Sequence, residues 1–489
     1  MSKLTQPKTL VRGDDKFVST KGYAISKNGN DEWVEWLKKY LTVKPAVNPE
    51  APSGAASAFP VYRENSKKIY LPISLGFKLF GAPPVYNYTL PQGDTCDLLE
   101  FKGTLRPEQQ HPVATFLEAA SCPAAGKRGG IISLACAAGK TVLALYIIAS
   151  LKRKAIVVCH KEFLINQWRE RIAMFIPQAR VGLIKGKVTD VKDKDIILAS
   201  LQSLSMKEYP VDTFAGIGTA VFDEAHHLGA EVFSQAMPKL TCEVMLGLSA
   251  TLNRSDGLRR VFEWYLGKPT VQGIKKRTDT NMTIHMVQYY DPHPDFGREL
   301  LMYNNKRNIP RMMGNITKFD PRNEMIIDLL EEVLRKEPGR KSLILSHRRV
   351  HLAQLEVILL DRNLGSIGYY VGGMKEADLK ASETKDIMLG TYTMISEGFD
   401  VPALNTLVLA TPISNVEQSI GRIQRQKPED RKFIPYVIDI WDTFSIFNNQ
   451  GYKRLRFYKS NGYNITPNIE IETERDNTNL KYSFIEDDD

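Results

Sequence analysis

From Gly130 onward, short apolar runs alternate with helix-like stretches, and no other feature narrows the possible folds as much. Residues 131–135, 155–159, 196–199, 219–222 and 244–248 read as strands, with helices over 140–152 and 162–175 between them. A strand that is apolar along its whole length has both faces covered. Helices interposed between such strands place them parallel in one sheet. The texture returns at 342–345, 366–371, 386–389, 406–410 and 436–440, with helices over 323–336 and 350–362. The alternating run 283–290 is expected to join that second sheet. The expected fold is therefore α/β, with two tandem parallel-sheet domains over 101–275 and 276–445. A small N-terminal α+β module (1–100) precedes them, and an extension (446–489) follows.

Composition agrees. At 489 residues the chain has room for about three domains. Its 43% hydrophobic and 25% charged residues exclude a collagenous or largely disordered chain. No apolar run approaches the ~18 residues of a bilayer span, so no membrane partner is expected. The polar start (1–20) lacks a signal-peptide core. Five scattered cysteines (Cys96, Cys122, Cys136, Cys159, Cys242) form no C-x-x-C pair, which fits a reducing, intracellular compartment. The net charge of +9 permits a polyanionic partner without requiring one.

The string Leu134-Ala135-Cys136-Ala137-Ala138-Gly139-Lys140-Thr141 follows a predicted strand and opens a predicted helix. A phosphate loop needs backbone N–H groups at a helix start, a lysine for the outer phosphates and a hydroxyl for Mg²⁺. Gly139, Lys140 and Thr141 supply that ending, whereas Leu134 and Ala137 stand where such loops usually carry glycine. Alone, the string fits a chance Gly-Lys-Thr equally well. If the loop N–H groups act whatever side chain is attached, Leu134→Gly and Ala137→Gly should change activity little.

Asp223-Glu224-Ala225-His226-His227 ends an apolar strand further on. At a strand's carboxyl end Asp223 can hold Mg²⁺ through water, and Glu224 can activate the attacking water. A solvated acidic turn is the alternative for a lone acidic pair. Adjacent histidines on an extended chain point to opposite faces, which argues against zinc.

Asp-Glu-Ala-His after a Gly-Lys-Thr loop resembles the superfamily 2 nucleic-acid helicases, and further motifs follow in that family's order. Leu105-Arg106-Pro107-Glu108-Gln109 resembles the adenine-reading Q motif. Ser249-Ala250-Thr251 resembles the motif that couples ATP state to strand binding. Gly390-Thr391 through Asp400 resembles motif V, and Gln418 through Arg425 motif VI. The resemblance implies two RecA-like domains using ATP and Mg²⁺. It implies ATP binding by Gln109 and residues 134–141, Mg²⁺ at Thr141 and Asp223, and Glu224 as base. Gln418, Arg422 and Arg425 would serve the γ-phosphate. Spaced three apart, the two arginines are expected to share a helix face. His160, Lys161, Ser200, Gln202, Arg254, His347, Arg348 and Thr391 would touch the nucleic acid.

The string Gly247 through Gly257, with Phe163 through Trp168, resembles the XPB branch. Leu41-Thr42-Val43-Lys44-Pro45, Val61-Tyr62-Arg63-Glu64 and Tyr70-Leu71-Pro72 resemble helicases of large DNA viruses of eukaryotes, with the poxvirus transcript-release helicase as the best single comparison. Two departures stand out: Ala135 and Ala137 replace the branch's Pro and Gly, and Arg254-Ser255-Asp256 replaces its Arg-Glu-Asp triplet. The expected function is an ATP-dependent helicase or translocase on DNA, in viral transcription or repair. The viral transcription machinery would be its partner, in the virion or a cytoplasmic replication site. An RNA helicase and a catalytically inactive binding subunit are the alternatives. A restriction-enzyme motor would need a nuclease module that the sequence does not display.

Outside the motifs, Trp33 and Trp36 are expected in the N-terminal module's core. His347 and His351 read as a helix-facing pair. Lys453, Arg454, Arg456 and Lys459 read as a solvated basic face or a DNA contact.

Overall fold

The computed structural model describes residues 5–45, 57–134, 138–210, 212–223, 230–249, 257–274, 280–396, 399, 401–426 and 428–467. The chain divides into two compact units, Met1–Lys276 and Arg277–Asp489.

The main sheet of the first unit contains β1 (Gly129–Leu134), β2 (Ala155–Cys159), β3 (Val181–Lys185), β4 (Val188–Asp190), β5 (Ile196–Ser200), β6 (Thr219–Phe222), β7 (Val244–Ser249) and β8 (Pro269–Ile274). Their order is β4-β3-β5-β2-β6-β7-β1-β8, and all pairings are parallel except β4 with β3. Successive side chains of a strand point to opposite faces, so one strand feeds two cores. Ala155, Val157 and Cys159 face the core under helices α1 (Pro107–Ala119), α2 (Lys140–Leu151) and α3 (Glu162–Phe175). Ile156 and Val158 face a core that also contains Val18, Tyr23 and Trp33 of the N-terminal module. Close approach fixes the start of β1: a Cβ on Gly129 would sit 2.5 Å from the Met245 carbonyl oxygen.

The module itself is an antiparallel sheet ordered Lys16–Ser19, Gly22–Ser26, Lys68–Leu71, Arg63–Glu64, with helices Asp31–Tyr40 and Ile73–Phe80. Trp33 and Trp36 are buried there, their rings edge to face with centroids 5.6 Å apart, as their spacing predicts. The Ser74 hydroxyl donates to the Tyr265 carbonyl, tying the module to the main sheet's flank.

The second unit contains β9 (Thr283–Tyr289), β10 (Ser342–Ser346), β11 (Ile367–Tyr370), β12 (Ile387–Thr391), β13 (Thr406–Leu409), β14 (Tyr436–Asp442) and β15 (Asn464–Thr466). All pair in parallel, in the order β11-β12-β10-β13-β14-β9-β15, so the run from Thr283 does join this sheet. Helices α4 (Asp320–Lys336), α5 (Arg349–Asp361), α6 (Glu417–Ile423) and α7 (Ser445–Ser460) accompany it.

Among the described residues of this unit, two ion pairs have both side chains buried. The Arg322 guanidinium forks onto Asp442 (2.7 and 2.8 Å) with both side chains fully buried. Arg454 of α7 grips Asp439 and is only 1% exposed, which removes it from the expected basic face. Lys453, Arg456 and Lys459 alone point outward. A buried charge that loses its partner costs about 3–5 kcal/mol, whereas an apolar replacement of both members is often near neutral. Asp442→Ala should therefore lower unfolding stability by about that amount. Arg322→Met combined with Asp442→Leu should recover most of it, as read by denaturant unfolding.

Among the described residues, no helix is long and apolar enough to cross a membrane. Cys96, Cys122, Cys159 and Cys242 are free thiols.

Candidate ATP and nucleic-acid site

In open parallel sheets, ligands bind beyond the carboxyl ends of the strands. In the first unit, five sequence-singled positions stand at those ends or in the turns just beyond them: Leu134 on β1, His160 after β2, Ser200 on β5, Asp223 after β6 and Ser249 on β7.

Leu134 is not an open loop residue. It is 3% exposed and packs in the core beneath α1–α3. Leu134→Gly would therefore empty a core position at a cost of about 2–5 kcal/mol, rather than being silent. Ala135, Cys136 and Ala137 lie outside the described residues. Ala138 and Gly139 lead into α2, and Gly139 caps it in the left-handed conformation (φ 76°). The Lys140 ammonium lies 3.4 Å from the Leu134 carbonyl oxygen, and half-buried Thr141 is the second residue of the helix.

Gln109, third residue of α1, is 3% exposed and turned onto this loop. Its Oε1 accepts from the Arg106 N–H (3.0 Å), and its Nε2 donates to the carbonyls of Ala138 (3.0 Å) and Gly139 (3.4 Å). Both ends of the amide are thus engaged by protein. Gln109 ties the start of α1 to the Ala138 and Gly139 carbonyls that lead into α2. A Cβ at Gly139 would meet Gln109 Nε2 at 2.4 Å. Gly139→Ala therefore combines that clash with a left-handed conformation costing an L-residue about 1–2 kcal/mol. ATP affinity should fall about tenfold or more in a fluorescent-nucleotide titration.

Asp223 is 6% exposed. Its N–H donates to the Val158 carbonyl (3.1 Å), and its Oδ2 accepts from Trp168 Nε1 (2.8 Å). Burial, then the Asp223 charge, hold the neighbouring Cys159 thiol well above its usual pKa. Glu224, Ala225, His226, Ala250, Thr251 and Arg254 lie outside the described residues. Ser249, 2% exposed, pairs in register with Ser133.

A single buried carboxylate and a helix-start hydroxyl do not make a protein cage for a metal. They do fit Mg²⁺, which keeps several waters and takes its remaining oxygens from nucleotide phosphates.

The expected nucleic-acid contacts occupy the same edges of their respective sheets. His160 and Lys161 form the half-buried turn after β2, and half-buried Ser200 ends β5. Gln202 is exposed on the following helix. In the second unit Thr391 ends β12, while His347 and Arg348 follow β10 and are exposed as residues. His347 is nevertheless held by Thr411: its Nδ1 lies 3.0 Å from the hydroxyl, and its ring packs on Tyr392. Partial burial, then the Arg348 charge, push its pKa down to about 4. At neutral pH the His347 ring is therefore neutral. His351 is spoken for by Ser346 Oγ (3.0 Å) and Asn323 Oδ1 (2.9 Å).

Motif VI differs from its expected form. Half-buried Gln418 and Arg422 lie on α6, but that helix ends at Ile423, so Arg425 does not share a helix face with Arg422. Arg422 is 6% exposed and donates to the Phe399 carbonyl (2.6 Å). Trp168, which bonds to Asp223, carries no sequence signal beyond its place in the string from Phe163.

Two α/β units with parallel sheets, one with a Gly-Lys-Thr helix start and a buried strand-end aspartate, are the arrangement that the helicase resemblance implies. Residues 102–254 match the model described as "Type III restriction enzyme, res subunit". A mimivirus protein named as an ATP-dependent RNA helicase is 34% identical over 457 residues, covering 91% of this chain and 85% of its own. Similarly named African swine fever virus proteins reach 27% over 67% of this chain and 68% of theirs. An invertebrate iridescent virus helicase reaches 24% over 80% and 88%. The solved structure of T4 UvsW covers 89% of this chain and 95% of its own at 16% identity, with a TM-score of only 0.32. This chain belongs to the superfamily 2 helicases represented in large DNA viruses.

Proposed function

We propose that this helicase is a DNA motor of the XPB-like branch, coupling ATP hydrolysis to movement along the strand during viral transcription or repair. The observation that supports it most is the carboxyl edge of the first sheet, where Gln109 braces Gly139 at the start of α2 and buried Asp223 follows β6. Lys140 and the helix start would bind the β- and γ-phosphates. Thr141 and Asp223 would hold Mg²⁺, which supplies charge neutralisation on those phosphates when bound. Glu224 would orient and deprotonate water. Arg425 would stabilise the departing γ-phosphoryl. Arg422, committed to Phe399, would fix the backbone from which Arg425 extends.

A second reading has its own support. The mimivirus and African swine fever virus relatives are named as RNA helicases. Contacts to phosphate grip either polymer and fall with salt. The deciding experiment is the ATPase rate without nucleic acid and with single-stranded DNA, duplex DNA or RNA. Stimulation by DNA is the expected result. Stimulation by RNA alone would move the assignment to the second reading, and no stimulation by any polymer would sink both.

A further inference from the structure

We propose that Trp168 is the positioning residue for the carboxylate that holds the metal of the ATP site. This inference rests on the reading of Asp223 as that carboxylate. Trp168 lies on α3, which follows β2, and is 1% exposed in the core beneath α1–α3. An indole has one polar group, a donor N–H, and no acceptor. That N–H reaches Asp223 Oδ2 at 2.8 Å, joining positions 55 residues apart in the chain.

A core position alone does not explain an indole. A phenylalanine would supply much of the same apolar surface without a buried N–H, which costs about 1–3 kcal/mol when unpaired. What tryptophan adds is a single donor aimed at one carboxylate oxygen. The Asp223 backbone is pinned separately through its N–H to Val158. With Oδ2 held by the indole, rotation of the carboxylate is fixed, and so is the direction in which Oδ1 faces. Partners of this kind, one shell out from a metal, typically change metal affinity about 10–100-fold when removed.

The test reads metal binding rather than turnover. Binding of a fluorescent ADP analogue is titrated with Mg²⁺, and measured again in EDTA, for wild type and Trp168→Phe. Because Trp168→Phe trims a packed core, Trp168→3-benzothienylalanine is run beside it, keeping the ring's size and removing only the N–H. The Mg²⁺ concentration for half-saturation should rise about 10–100-fold in both variants. Metal-free nucleotide affinity should be unchanged. An unaltered Mg²⁺ requirement overturns the proposal. So does a parallel fall in metal-free affinity, since that marks a merely structural residue. Asp223→Asn separates the two levels of inference. If it leaves the Mg²⁺ requirement unchanged, Asp223 is not the metal's carboxylate and the underlying reading fails. If it raises the requirement while the Trp168 variants do not, only the positioning role is lost.

Discussion

Glu224→Gln should bind ATP as the wild type does yet hydrolyse it several orders of magnitude more slowly. The amide is nearly isosteric with the carboxylate, so the site's shape and its nucleotide contacts through Lys140 and Thr141 should persist. If Glu224 is the proposed base, what is lost is the ability to accept a proton from the attacking water, worth about 10²–10⁴-fold for general-base catalysis. Loss of a charge that orients the same water adds to this. The measurement pairs ATP affinity with single-turnover hydrolysis on one preparation. Near wild-type turnover would remove Glu224 from the role of base, and a matching loss of affinity would make it a binding residue instead.

The parts of this molecule that were legible in sequence share a property: their signal is local. β2 and β6 span Ala155–Cys159 and Thr219–Phe222, as their unbroken apolar runs require, and α3 spans Glu162–Phe175. The helix start at Gly139 and Lys140 is readable for the same reason, since its signal lies in consecutive residues. β3 and β4 were not anticipated. They are a short antiparallel pair at the sheet's edge, where β3 alternates between buried and half-buried positions and loses the continuous apolar signature.

The pairings that organise the interior were the least legible. Arg322 meets Asp442 across 120 residues, and Trp168 meets Asp223 across 55. Charge reads as surface until a partner on another strand is known, which is why the sequence places Arg454 with its exposed neighbours. Its carboxylate, Asp439, lies inside an otherwise apolar run of β14 and had no local reason to be singled out. For Arg422 and Arg425 the spacing fits a shared helix face, but α6 stops at Ile423 before the second arginine is reached.

That early stop sharpens what each arginine should do. Arg422 is buried and spends a guanidinium N–H on the Phe399 carbonyl. Arg422→Ala should therefore lower the stability of the second unit along with any loss of activity. Arg425 lies beyond the helix and is half-buried, so its removal should act on chemistry more than on folding. If it supplies the finger, Arg425→Ala should retain nucleotide binding, because Lys140, Thr141 and the loop braced by Gln109 all belong to the first unit. Turnover should fall by about 10³-fold or more, the scale on which such fingers act in phosphoryl transfer. Arg425→Lys should not restore it, because a compact ammonium lacks the planar fork that spans two phosphate oxygens. Nucleic-acid binding without ATP should survive in both variants. Measuring ATP affinity, turnover, strand affinity and unfolding stability on Arg425→Ala separates these effects. A parallel fall in all four would mean that Arg425, like Arg422, holds the second unit together, and the finger would have to be sought elsewhere.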